Sequence, residues 1–244
     1  MAPYKVIIAY DGTEFFGFQR QVNVRTVQGE IEKALRMLGW KEKSILFSSR
    51  TDTGVHGEGQ VISFHMNWMH SEQEMWKGLN SYLPTDISAV GTTVASEQFH
   101  PRYDAAQRTY RYQIYQDLHR NCLLDRFHWR VWPIADTTVF RNTAEGFLGK
   151  HDFKHFGNAP NEKSTTIRTI KRLDWTIKEN GTIHFHIAAN AFLYHMVRRI
   201  VFLLVKTAQG KIAPELIEEA LVGRNELPDG IAPANGLFLE KIEY

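Results

Sequence analysis

Apolar positions recur with two different periods along this chain, and the switches between them mark out its elements. Residues 5–10 (KVIIAY) form a short β-rich run that stops at Asp11-Gly12, a turn signal. Val27, Ile31, Ala34, Leu35 and Leu38 follow at helical spacing, with Thr26 as N-cap and Gly39 past the end. Residues 44–49 and 60–66 read as strands, separated by a loop that holds Gly54, Gly57 and Gly59. Ser71-Glu72-Gln73-Glu74 is a capping box opening a helix that ends before Pro84, and residues 86–94 close the segment as a strand. The order β-α-β-β-α-β is the split βαβ, or ferredoxin-like, arrangement.

The second half repeats this order in longer form. Residues 108–115 read as a strand and 136–148 as a helix stopped by Gly149. Strands 167–177 and 182–187 join across Glu179-Asn180-Gly181, where Asn-Gly favours a hairpin turn. Residues 190–208 predict a long helix, 214–222 a short one with Pro in its first turn, and 237–243 a last strand. The expectation is an α+β fold of two ferredoxin-like halves, with antiparallel sheets flanking a central active-site cleft. The halves are 1–100, which carries Asp52, and 101–244, which completes the cleft. Their likeness is one of topology, without a sequence repeat. Residues 157–166 (GNAPNEKSTT), rich in turn formers, predict a mobile loop that closes over a ligand near Lys163.

Composition narrows the class. With 43% hydrophobic and 23% charged residues among 244, the chain is neither disordered nor collagen-like. The single cysteine, Cys122, excludes an intramolecular disulfide framework and a Cys-rich zinc site. Lys+Arg is 29 against Asp+Glu 27, so a nucleic-acid site must rest on local clustering of charge. The longest purely apolar run, 200–205, is far short of the ~20 residues that span a bilayer. The first residues resemble no signal peptide, so a cytoplasmic soluble protein without membrane contact is expected.

The run Ser48-Ser49-Arg50-Thr51-Asp52-Thr53-Gly54-Val55-His56-Gly57 places a carboxylate at a strand end, two residues after an arginine. In an extended chain, positions i and i+2 share a face, so Arg50 can hold Asp52 ionised. An ionised, positioned carboxylate is a nucleophile or a base; the bland alternative is a surface Asp capping a turn. Asp52-Thr53-Gly54 is also the tripeptide of aspartic proteases. Those enzymes need two such carboxylates, and the chain has one. Arg108, Tyr110, Tyr112 and Ile114 share one face of a strand, and such rings, interleaved with Arg, stack unpaired bases or simply suit a half-buried sheet. Arg198 and Arg199 flank the apolar stripe of the 190–208 helix, leaving open that one reaches the cleft. His184 and His186 make a plain polar face opposite Ile183, Phe185 and Ile187. Without H-E-x-x-H, P-loop or dinucleotide fingerprint, neither metal nor cofactor is expected.

Several runs together resemble the tRNA pseudouridine synthase A family. They are Tyr10-Asp11-Gly12-Thr13, Phe16-Gly17-Phe18-Gln19-Arg20-Gln21, Thr26-Val27-Gln28 and Ser49-Arg50-Thr51-Asp52-Thr53-Gly54-Val55-His56. Further along come Arg108-Thr109-Tyr110-Arg111-Tyr112, Gly149-Lys150-His151-Asp152-Phe153, Asn190-Ala191-Phe192-Leu193-Tyr194-His195-Met196-Val197-Arg198 and Ala232-Pro233-Ala234-Asn235-Gly236-Leu237. The resemblance implies the pseudouridine synthase fold and isomerisation of uridine to pseudouridine in the anticodon stem-loop of tRNA, at positions 38, 39 and 40. It implies a homodimer without cofactor. It maps the catalytic aspartate onto Asp52, the active-site tyrosine onto Tyr110, the arginine that pairs with the aspartate onto Arg198, and the base-flipping arginine onto Arg50. Phe18 stands where the family often has Trp, and Phe202 where it usually has Gly.

The expected chemistry follows. The glycosidic bond breaks, the base turns, and C5 bonds to the sugar. Attack by Asp52 at the sugar C1′, as in retaining glycosidases, and addition to the base C6 are both formal options. Tyr110 stacks on the base or relays the proton that leaves carbon. Expected phosphate contacts are Arg20, Arg108, Arg111 and Lys150, with Arg102, Lys154, Lys163 and Arg168 further candidates. The alternatives are a non-catalytic RNA-binding protein on the same scaffold and a hydrolase that splits the same bond.

Overall fold

In the computed structural model, which describes residues 1–159, 161 and 164–244, the chain divides into two compact units. One comprises Met1–Ala106 together with Phe238–Tyr244, the other Gln107–Leu237.

The first unit contains β1 (Ala2–Tyr10), α1 (Val27–Met37), β2 (Leu46–Phe47), β3 (His56–Met66), α2 (Glu72–Tyr82) and β4 (Ile87–Val94). Its sheet runs β4-β1-β3, with β1 antiparallel to both neighbours and β2 beside the far end of β3. The expected caps are in place. Thr26 Oγ1 accepts the Gly29 N–H at 3.3 Å, and Ser71 and Glu74 bond reciprocally at 3.2 and 2.9 Å. Val6, Ile8, Phe18, Ile31, Leu35, Phe64 and Leu79 are fully or almost fully buried in one core. Burying each such side chain is worth roughly 1.5–3 kcal/mol, which outweighs the modest helix propensity of the short α1 and α2.

Two expectations change here. The strand expected over 44–49 is only Leu46–Phe47, because the Gln60 side chain takes over the pairing of Ser49: its Nε2 donates to Ser49 O at 2.6 Å. Gly57 and Gly59 lie within β3 rather than in the loop before it. They are needed there for close approach. A Cβ at 57 would stand 2.5 Å from the Tyr10 ring, and one at 59 would stand 2.3 Å from Glu240 O.

The second unit contains β5 (Gln107–Gln116), β6 (Trp129–Val131), α3 (Thr137–Glu145), β7 (Gly149–Asp152), β8 (Ile167–Ile177), β9 (Ile183–Ala189), α4 (Met196–Ala208) and α5 (Pro214–Leu221). Its strands run β7-β8-β9-β5, all antiparallel, with β6 parallel to β5. Ile114, Phe185 and Ile187 are buried on one face, where Phe140 of α3 packs 4.0 Å from the Trp175 ring. The 178–182 hairpin turns on Gly181 at φ +77°.

The long helix expected from residue 190 starts only at Met196. Asn190 bonds Thr169 through backbone and side chain, and Tyr194 and Asn158 exchange backbone hydrogen bonds at 2.9 and 3.1 Å. These bonds hold 190–194 out of the helix, and His195 at φ +65° turns the chain into it. The last strand, β10 (Leu237–Glu243), was expected in the second half. Most of it belongs to the first unit, where Phe238 and Leu239 run parallel to His56 and Gly57 of β3.

Candidate active site

Asp52 sits in the turn that leads into β3, half-buried, with exposed Arg50 before it. Its neighbours are clamped from three directions within the first unit. The Tyr10 hydroxyl lies 2.8 Å from Thr51 Oγ1, in a buried contact. The Phe18 N–H donates to Thr51 O at 3.1 Å, and the Gly54 N–H to Phe15 O at 3.3 Å. The Val55 N–H closes the turn onto Asp52 O at 3.1 Å. Gly17, at φ +86°, lets the 16–18 segment pass so closely that a Cβ would stand 2.8 Å from Thr51 O. Gly12 packs tighter still, on the Val55 backbone, while its N–H donates to buried His56 Nδ1 at 3.0 Å. The turn is thus built by residues far upstream, Tyr10-Asp11-Gly12 and Phe16-Gly17-Phe18, packed against Thr51, Gly54 and Val55. Phe18 is fully buried with its ring 4.9 Å from Phe47.

Tyr110 lies in the second unit, on β5, buried and edge-on to Phe192 at 5.1 Å. Tyr112, two residues on and on the same face, donates its hydroxyl to Pro233 O at 2.7 Å. Burial pushes its phenol well above the ordinary range, and the Arg198 charge acts against that rise. Arg198, in the first turn of α4, donates Nε–H to Ala232 O at 2.7 Å, and its own carbonyl accepts the Ala232 N–H at 3.0 Å. Asn235 anchors the same strut by donating to His128 O at 2.9 Å, and a Cβ on Gly236 would meet the Tyr112 ring at 2.7 Å. The Ala232–Leu237 run therefore supports both Tyr112 and Arg198. Tyr112 stands on the strand face that the residue pattern marked, whereas Phe192 and Asn235 are site neighbours that the pattern alone did not single out. Their signal was the motif each belongs to.

Arg199 leaves α4 in another direction, donating to Gly230 O at 2.7 Å and Leu227 O at 3.2 Å. Phe202 is accommodated by a vacancy opposite it: a Cβ on Gly230, which has φ +132°, would fall 2.3 Å from its ring.

The basic residues divide by task. Arg20 is ion-paired with the buried Glu32 and donates to Lys43 O at 3.2 Å, with 46% of its side chain exposed. Arg108 donates to Asn190 O at 2.9 Å. By alternation, Arg108 and Tyr110 share one face of β5, and Arg111, in register with His186, takes the other. Lys150 is exposed on β7. Arg168 is buried and spends its guanidinium on Thr165 O and Ile167 O, so it serves the fold. Lys163 lies outside the described residues. No group of three or more His, Cys, Asp or Glu able to hold a metal occurs among the described residues, and no helix there is long and apolar enough to cross a membrane.

Comparison with known proteins gives the arrangement its context. The family model described as tRNA pseudouridine synthase matches residues 6–104 and 143–244. A tRNA pseudouridine synthase A 2 of Bacillus anthracis is 35% identical over 247 residues, covering all of both chains. A tRNA pseudouridine synthase A of Listeria innocua is 37% identical over 253 residues, again covering both in full. One from Fervidobacterium nodosum is 39% identical over 238 residues, 97% of each chain. The chain belongs to the tRNA pseudouridine synthase family, a family of isomerases.

Proposed function

We propose that this protein converts uridine to pseudouridine in the anticodon stem-loop of tRNA, at positions 38, 39 and 40, with Asp52 as nucleophile. The observation that carries the reading is the clamp on both sides of Asp52 in a chain of this family. A side chain whose neighbours are fixed by a buried hydroxyl pair and two backbone bonds to the 15–18 segment presents its carboxylate in one place, which a nucleophile needs.

The reaction rearranges bonds without oxidation or net hydrolysis. Asp52 attacks the ribose C1′ or adds to C6 of the base, the glycosidic bond breaks, the base turns, and C5 bonds to C1′. The hydrogen on C5 then leaves as a proton, and the Tyr110 phenol stacks on the base or relays that proton. Arg198 is the cation of the catalytic set. A target inside a stem must first leave the stack, at a cost of a few kcal/mol, and exposed Arg50 fills the gap it leaves. Arg20, Arg108, Arg111 and Lys150 are the proposed phosphate contacts, Arg111 from the opposite face of β5. The working unit is a homodimer.

The test is tritium release from tRNA carrying [5-³H]uridine, because bonding of C5 to the sugar expels that hydrogen. Release is expected from the wild type, none from Asp52→Asn, and none from tRNA lacking uridine at 38, 39 and 40. Equal release by Asp52→Asn, or accumulation of free uracil, would sink the reading.

A further inference from the structure

A cavity of about 260 Å³ lies at the head of α4, lined by Lys154, His155, Asn158, His195, Arg199 and Asp229 among others. We propose that it is a pocket for one phosphodiester group of the RNA, held by Lys154, His155 and Arg199. The inference rests on the RNA reading above and adds a defined anchoring point to it.

The cavity is walled by three chain segments tied to one another. Residues 156–158 are fastened to 193–196 by the paired Asn158 and Tyr194 backbone bonds. Gly157 is pressed so close to that segment that a Cβ would stand 2.7 Å from Tyr194 O and 2.9 Å from Leu193 Cβ. The third wall, 227–231, is held by Arg199 through Gly230 O and Leu227 O. A pocket formed this way needs no ordering when its ligand arrives, which favours binding.

Its chemistry favours an anion. Lys154 and Arg199 bring two cations against the single carboxylate of Asp229, and His155 and His195 add imidazole nitrogens. Arg199 uses two guanidinium nitrogens on carbonyls and keeps further N–H donors of its planar fork, which suits phosphate. Burial lowers its pKa, while Asp229 acts to raise it, so the guanidinium is a partly desolvated cation that gains from a second anion. The first turn of α4 adds the positive end of the helix dipole. The volume is below the ~300–1,000 Å³ of pockets that enclose a drug-sized ligand. It therefore suits a phosphate with part of its sugar rather than a whole free nucleotide.

The experiment compares the wild type with Lys154→Glu and His155→Ala, using Lys33→Glu, exposed on α1, to match the change in net charge. The readings are tRNA affinity against salt and tritium-release kinetics. Lys154→Glu is expected to raise Kd and KM about tenfold at ~0.1 M salt and leave kcat at saturation unchanged. It should also lower the slope of log affinity against log salt by about 1. His155→Ala should act in the same direction, and Lys33→Glu should leave the slope as it is. Unchanged Kd and slope in Lys154→Glu, or an equal change in Lys33→Glu, overturns the pocket while leaving the isomerase reading standing. Inorganic phosphate, followed by the amide signals of Gly157 and Ile231, tests the pocket without RNA. Shifts in the wild type that vanish in Lys154→Glu support it even if the wild type releases no tritium, and shifts that persist in Lys154→Glu overturn it.

Discussion

The hydroxyl of Tyr10, the last residue of β1, touches the hydroxyl of Thr51 at 2.8 Å, joining the end of one strand to the residue before Asp52. The Tyr10 ring fits because residue 57 has no side chain. Tyr10→Phe keeps the ring and removes the bond. It should cost about 1 kcal/mol, or a fall of roughly 2–4 °C in Tm for a chain of this size. Because the lost bond steadies the turn holding Asp52, kcat for tritium release should drop several-fold while tRNA affinity stays put. A variant with unchanged kcat would show that this bond serves the fold alone.

Tyr110→Phe separates the two tasks proposed for that residue. The ring contact with Phe192 survives, so thermal stability and tRNA affinity should stay near wild type. The phenol is lost, and if it relays the proton leaving C5, kcat should fall by ~10²-fold or more. A fall of less than threefold would assign Tyr110 to stacking only.

Gly230 and Phe202 predict a coupled pair. Gly230→Ala drives a Cβ into the Phe202 ring and should destabilise by about 1–3 kcal/mol. Adding Phe202→Ala should recover part of that loss, although φ +132° still opposes a side chain at 230. Additive effects in a denaturant-unfolding cycle would show that the two do not interact.

The polar face of β9 predicts how stability depends on pH. Burial, with the charges of Arg111, Lys178, His128 and His186 behind it, lowers the pKa of His184 from 6.5 to about 4. Between those values the unfolded chain binds a proton that the folded chain does not, so stability falls as pH drops from 6.5 toward about 4 and is unaffected above 6.5. His184→Gln should flatten the Tm profile over this window and leave it unchanged at pH 8. An unaltered acid limb would assign the loss to other groups.

The helices and most of the strands were legible because their signals are local. Thr26, the Ser71–Glu74 box, Asp136 and Asn180-Gly181 each satisfy nearby backbone groups, so the residue pattern carries the answer. What it could not carry was long-range. Residues 190–195 look helical until Asn158 and Thr169 claim their backbone. Gly57 and Gly59 look like loop residues until Tyr10 and Glu240 occupy the space beside them. In the candidate site, Asp52 and Tyr110 stood out by residue type, whereas the surroundings of Arg199 depended on where 154–158 and 227–231 cross α4. Arg168 reads as a candidate phosphate contact because nothing local marks a guanidinium that turns back onto Thr165 and Ile167 just before it.

The placement of β10 also bears on how the protein is made. Translation delivers β1, β3 and β4 early, but the strand that runs along the start of β3 arrives only with residues 237–243. Until then, the nascent first unit carries an exposed strand edge next to the Asp52 turn, open to pairing with other chains. Synthesis interrupted before residue 237 leaves that edge uncovered and aggregation-prone. The first unit therefore completes its sheet beside the Asp52 turn only once residues 237–243 have been made.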